Sequence, residues 1–174
     1  MARFETNVDK IKMSYELTKK RKFFRKARAI VIKDNKLLLI RIDYKDGRVH
    51  YLLPGGGVDE GETIKDAIIR ETLEEYNAEV DVIKYLDKQH YHIDLEYNGE
   101  SFRSNRVEYY YLCKFKKFSN NDSFGVGNEF VNPEKTYSKV ELSLEDVLKL
   151  KPQNINSMCE RTYEKLIFFM KTLL

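Results

Sequence analysis

Two continuous apolar runs, Ala29-Ile30-Val31-Ile32 and Leu37-Leu38-Leu39-Ile40, flank Asp34-Asn35, a pattern that predicts two buried strands joined by a hairpin turn. A third, short strand is expected over residues 49–53, after the turn dipeptide Asp46-Gly47. It stops at Pro54-Gly55-Gly56-Gly57, where no regular element continues. Residues 79–97 and 101–118 read as long strands around Asn98-Gly99, a strong hairpin signal. Residues 119–137, rich in Asn, Gly, Asp and Pro, read as a long loop or lid. A short helical pattern over 142–150 is halted by Pro152, and 156–174 forms a final amphipathic helix. Residues 10–26 are basic and loosely amphipathic, and their pattern decides for neither helix nor strand. Strands and helices alternate irregularly, which predicts the α/β class with a mixed sheet.

The most informative segment is a helix expected over residues 63–77. Thr63 with Asp66 three residues on has the form of a capping box, and Asn77 is suited to the left-handed residue that closes a helix. Wound at about 100° per residue, Ile64, Ala67 and Ile68 fall on one stripe. Glu71, Glu74 and Glu75 continue it. Ile69, Leu73 and Tyr76 lie opposite, which predicts a helix packed on two sides. Acidic neighbours three and four apart are only about 5–6 Å apart at Cβ. A fully solvated face tolerates such crowding, but a stripe that begins as core does not, because burial raises the cost of like charges. Arg70 can pair with Glu74 but cannot neutralise all three. The cluster calls for a counterion, and a hard cation such as Mg²⁺ takes oxygen ligands. The glycines just before it leave backbone carbonyls and amides open to a metal or a phosphate.

Composition sets limits around this picture. The 174 residues suit one domain, 1–174, with 1–27 as an N-terminal extension and 156–174 packed on the domain as the C-terminal helix. At 42% hydrophobic and 34% charged the chain is of ordinary globular composition. A net charge of +3 is too mild to call for nucleic acid as a partner. Cys113 and Cys159 read as free thiols in a reducing compartment. No apolar run reaches membrane-spanning length and the N-terminus lacks the apolar stretch of a signal peptide, so no membrane partner is expected and a cytoplasmic location is.

Gly56, five residues, Glu62, seven residues, then Arg70-Glu71-Thr72-Leu73-Glu74-Glu75-Tyr76-Asn77-Ala78 resembles the box of the Nudix hydrolases, G-x5-E-x7-R-E-U-x-E-E-x-G-U with U a bulky aliphatic. Every charged position matches. Thr72 and Ala78 replace aliphatics and Asn77 replaces glycine, departures that concern helix packing and closure. Weaker similarity extends over residues 28–150, through Arg41, the approach Leu53-Pro54-Gly55-Gly56, and Val140-Glu141-Leu142-Ser143-Leu144-Glu145.

The resemblance implies a Nudix-type α/β/α sandwich around a mixed sheet. It also implies a Mg²⁺-dependent hydrolase, with Mn²⁺ as substitute, that cleaves the phosphoanhydride bond of a nucleoside diphosphate linked to another moiety. Carried over, Glu71, Glu74, Glu75 and the Gly55 carbonyl hold metal, Arg70 orients the glutamates, and Glu62 braces loop against helix. The base that takes the proton of the attacking water is Glu71 or a loop acid, with Glu129 preferred over Glu134. Arg41, Gly56, Gly57, Arg106 and Glu108 are expected to contact a small nucleotide-type substrate, and Arg28 is a further phosphate candidate set against an ordinary surface arginine. His90 and His92 share a strand face without a third ligand for zinc. The readings set against this are a nucleotide-sensing module that does not cleave and an RNA 5′-pyrophosphohydrolase. A homodimer through the segment before Arg28 stands beside a simple covering role for that segment.

Overall fold

Leu37, Leu38, Leu39 and Ile40 are all buried, although successive side chains of a strand point to opposite faces. The sheet that holds them is therefore covered on both sides. In a computed structural model of the protein, which describes residues 7–20, 23–119 and 134–172, the elements in order are α1 (Asn7–Lys20), β1 (Phe24–Lys33), β2 (Lys36–Tyr44), β3 (Val49–Leu52), α2 (Ile64–Tyr76), β4 (Ala78–Tyr97), β5 (Glu100–Phe118), β6 (Lys135–Ser143), α3 (Leu144–Leu148), a 3-10 turn (Pro152–Asn154) and α4 (Glu160–Thr172). The six strands form one sheet in the order β3-β2-β1-β5-β4, with β6 also paired to β2. β1 and β5 run parallel and the remaining pairs antiparallel.

Alternate residues of β1 and β2 feed two cores. Ala27, Ala29, Val31, Leu38 and Ile40 pack under Ala67, Ile68 and Tyr76 of α2. Ile30, Leu37, Leu39 and Tyr110 pack under Val147 of α3 and Leu166 and Met170 of α4. This is the α/β/α sandwich with a mixed sheet that the family resemblance implied. None of the described helices is long and apolar enough to cross a membrane.

Several boundaries differ from the sequence reading. The undecided stretch 10–26 divides between α1 and a β1 that starts at Phe24. Residues 135–143 form β6, so the loop expected to run to 137 ends earlier, and Leu142 and Ser143 belong to strand. Ser143 then caps α3 by accepting from the Asp146 N–H. The last helix starts at Glu160 rather than 156, because Asn156 and Ser157 take left-handed conformations (φ 50° and 49°). α2 is buried along one stripe only, since Ile69 is 46% exposed. Glu129, placed by sequence in the lid, lies outside the described residues.

The site is positioned by a wedge in the sheet. β1 and β2 pair only at Ile32–Leu37 and Lys33–Lys36 and then part. Residues 54–58 fill the gap along the freed edge of β1, with Ala29 N donating to Pro54 O (2.8 Å), Ala27 N to Gly56 O (2.9 Å) and Val58 N to Arg25 O (3.1 Å). The chain just before the glycines is fixed by Asn156, whose amide oxygen accepts from Leu53 N and whose own N–H donates to Tyr51 O. α1 lies against the β4–β5 hairpin, where the Tyr15 ring meets Tyr97 and Phe102 and its hydroxyl donates to Glu100 (2.6 Å).

Candidate active site

Capping starts and stops α2 where the sequence required. Thr63 Oγ1 accepts from Asp66 N (3.1 Å) and donates to its carboxylate (2.6 Å). Asn77 closes the helix at φ 59°, its N–H reaching Leu73 and Thr72 carbonyls. Between these caps Ala67, Ile68, Thr72 and Tyr76 form the buried stripe. Thr72, which stands where the motif has an aliphatic, satisfies its hydroxyl by donating to Ile68 O (2.6 Å). Glu71 and Glu75 flank that stripe and are partly buried, and Glu74 sits further out at 42% side-chain exposure.

The glycine loop meets these carboxylates directly. Gly55 N donates to Glu75 (2.8 Å). At Gly56 a Cβ would stand 2.5 Å from Glu71 Oε1, so the missing side chain is what lets this carboxylate lie against the loop. Gly55 has φ +141° and a Cβ there would collide with the Ala27 carbonyl, so β1 and the loop close only around glycine. Arg70 joins the rest. It donates to Glu62 through Nε and Nη2 (both 2.9 Å), to Gly57 O (3.0 Å), to Glu71 (2.7 Å) and to Glu74 (3.3 Å). Glu62 also accepts from Asp59 N (3.0 Å), so it ties loop to helix as expected.

These surroundings oppose full ionisation. Burial pushes the Glu75 carboxyl up to about 7, with Glu71 adding to the rise, against the lowering effects of the Gly55 N–H, Arg28 and Lys26. Burial raises Glu71 too, and Glu74 adds to that, while Arg70 pulls the other way. The hydrogen bond from Arg70 holds Glu62 below the usual carboxylate range.

On the opposite side of the loop a buried ion pair takes up two of the residues expected at the substrate. Arg28 donates to Glu108 through Nε (3.0 Å) and Nη2 (2.9 Å), and through Nη1 to the Gly55 carbonyl. The second oxygen of Glu108 accepts from Tyr110 (3.0 Å), and Glu108 is only 2% exposed. Glu108 therefore does not line an open pocket, and Arg28 is a loop brace rather than an exposed phosphate contact. The Gly55 carbonyl, expected to face a cation, accepts from Arg28, which leaves its second lone pair. Arg41 lies on β2 between β3 and β6 and pairs with Asp43 (2.7 Å). Among the described residues no hydrogen bond or ion pair joins it to the loop or to α2.

Arg106 stays with the site, its guanidinium 5.3 Å from the Phe24 ring centroid and its Nη2 on Ser14 of α1 (3.2 Å). A Cβ at Gly57 would stand 3.4 Å from the same ring. Lys26, which sequence reasoning passed over, stands on β1 in a backbone bridge with Gly57. Glu134 sits beside the β2–β3 turn, 3.5 Å from Lys45. Cys113 and Cys159 are both free.

A divalent cation suits this donor set chemically: two partly buried carboxylates with raised pKa values and a third beside them, all oxygen ligands. Among the described residues no three acidic, His or Cys side chains are gathered around one point as they stand. Arg70 takes Glu71 and Glu74, and the Gly55 N–H takes Glu75.

Comparison with known proteins agrees with this architecture. No characterised protein of a curated sequence collection matches the chain. Among solved structures, a NUDIX hydrolase from Nitrosomonas europaea superposes with a TM-score of 0.55 at 15% identity, over 86% of this chain and 90% of that one. A UDP-X diphosphatase gives 0.56 at 16%, over 96% and 73%. An ADP-ribose pyrophosphatase from Streptococcus suis gives 0.51 at 19%, over 84% and 90%. At such identities the likeness is one of fold. The model of the NUDIX domain matches residues 23–158, from the first residue before β1 to the segment preceding α4. With loop, caps and acidic helix inside that span, the chain belongs to the Nudix family.

Proposed function

We propose that this protein hydrolyses a phosphoanhydride bond in a nucleoside diphosphate linked to another moiety, using Mg²⁺ or Mn²⁺ held by Glu71, Glu74 and Glu75. The observation that carries the reading is the meeting of the glycine loop with these carboxylates: Gly55 N on Glu75, and Glu71 against Gly56, both acids with raised pKa values. Acid groups held together at such cost need a compensating charge, and the family's hydrolases work with one. The bound cation supplies Lewis-acid stabilisation of the phosphoryl oxygens and a more acidic attacking water. Arg70 orients Glu71 and Glu74, and Glu62 keeps Arg70 against the loop. Proton removal from the water falls to Glu71 or to Glu129.

A panel of nucleoside diphosphate derivatives and nucleoside triphosphates, assayed for phosphate and pyrophosphate release with and without Mg²⁺, tests the proposal. UDP- and ADP-ribose-type compounds belong in it, since relatives by fold carry those names. The expected outcome is metal-dependent turnover of at least one member. Binding without turnover across the panel would favour the nucleotide-sensing alternative.

The loop geometry makes a further prediction. Gly56→Ala is expected to keep the fold, because the atom met is the end of a flexible side chain, but to displace Glu71. Affinity for Mn²⁺ should fall by roughly 10–100-fold, the range seen when groups supporting metal ligands are altered. Titration calorimetry of the two proteins measures it, and equal affinities would contradict the placement of Glu71.

A further inference from the structure

Among the described residues neither Lys26 nor Arg106 makes an ion pair, although both lie close to buried groups. Phe24, Lys26 and Arg28 alternate along one face of β1, and in the parallel register Phe24 pairs with Arg106, Lys26 with Glu108 and Arg28 with Tyr110. That face holds three cations and one carboxylate. Glu108 gives one oxygen to Arg28 and the other to Tyr110, and no hydrogen bond joins it to Lys26. Among the described residues no hydrogen bond or ion pair reaches the Lys26 ammonium.

Burial lowers Lys26 to about 7, helped by Arg28 and Arg106 and opposed by Glu108 and Glu75. Arg106 likewise makes no ion pair among the described residues and meets only neutral groups, the Tyr91 hydroxyl among them. Its Nη2 is held by neutral Ser14, and its Nε is buried without a partner. A buried, unpaired donor of this kind is costly unless a ligand takes it up. Lys26 borders the glycine loop through its bridge with Gly57, and the Phe24 ring that packs against the Arg106 guanidinium is the group a Cβ at Gly57 would meet, at 3.4 Å.

We propose that Lys26 and Arg106 form an anion subsite beside Gly57, on the far side of the glycine loop from the α2 carboxylates, and that it takes a terminal phosphoryl group of the substrate. An ammonium and a guanidinium that make no ion pair fit a phosphoryl dianion, as at the end of a nucleoside diphosphate or triphosphate, better than an uncharged sugar, and the dianion would itself favour the charged form of Lys26. The assignment rests on the phosphoanhydride hydrolase reading and narrows its substrate class.

The test is binding of inorganic pyrophosphate in EDTA, where no metal brings the ligand to the glutamates. The wild type is expected to bind, with Lys26→Met and Arg106→Met each at least about tenfold weaker, the effect of losing one charged contact of about 1.4 kcal/mol. Lys26→Arg, which keeps the charge, should recover most of the affinity. In the Mg²⁺ assay Lys26→Met should raise KM for substrates with a terminal phosphoryl more than for those without. Unchanged pyrophosphate affinity in both Met variants, or none in the wild type, overturns the subsite. Turnover in the panel together with that result would leave the hydrolase reading standing. Lys26-dependent binding without turnover of any compound would remove the hydrolase reading and keep the subsite.

Discussion

Glu75→Gln is expected to lose metal-dependent hydrolysis by on the order of a thousandfold, about 4 kcal/mol of transition-state stabilisation, while folding as well as the wild type. Glutamine keeps an oxygen to accept from Gly55 N, so the loop contact survives. What is lost is the charge. The sign of the stability change separates this from a folding defect. The Glu75 carboxyl is raised to about 7, mainly by burial, so in metal-free protein its ionisation disfavours the folded state increasingly from its unfolded value near 4.5 up to about 7. In EDTA at pH 8 the variant should therefore melt at or above the wild-type temperature, and the difference should vanish near pH 4. Glu74→Gln is expected to lose activity similarly without that stability gain, because Glu74 is half exposed and its one hydrogen bond is to Arg70 (3.3 Å). Full activity in both variants would refute the metal-ligand assignment.

Arg28→Met is expected to be the most destabilising replacement near the site, by about 3–5 kcal/mol, because it leaves the Glu108 carboxylate buried without its cation. Tyr110 would then be its one remaining hydrogen-bond partner among the described residues, and the Gly55 carbonyl would lose its donor. Combining Arg28→Met with Glu108→Leu should recover a large part of the loss, since an apolar pair of similar volume costs little where a lone buried charge costs much. Urea unfolding of the two single variants and the double variant measures both numbers. A single replacement costing under about 1 kcal/mol would show that the pair does not hold the loop.

Everything within reach of one helical turn or one tight turn was legible in the residues. Thr63 and Asp66, Asn77, Asn98-Gly99 and Asp34-Asn35 fall where they must, because capping and left-handed turn conformations depend on neighbours a few positions away. Spacing alone put Glu71, Glu74 and Glu75 on one stripe, while the contacts of Glu71 and Glu75 with the glycines are made by the fold. The two-sided packing of α2 did not hold, because periodicity shows which residues share a stripe and not how many layers there are to cover it.

What tertiary structure decided lies across the sheet. Arg28 meets Glu108 eighty residues away through the parallel β1–β5 register, which turns one expected phosphate contact into a brace and closes the other acid off from substrate. The same register puts Lys26 and Arg106 on one face, and α1, from a segment whose own pattern favoured no structure, supplies Ser14 to Arg106. Local pattern determines an element and its ends because those interactions are made within it. Which charges are spent on each other and which are left for a ligand depends on strand register and on the wedge between β1 and β2, and these are set by packing of the whole chain.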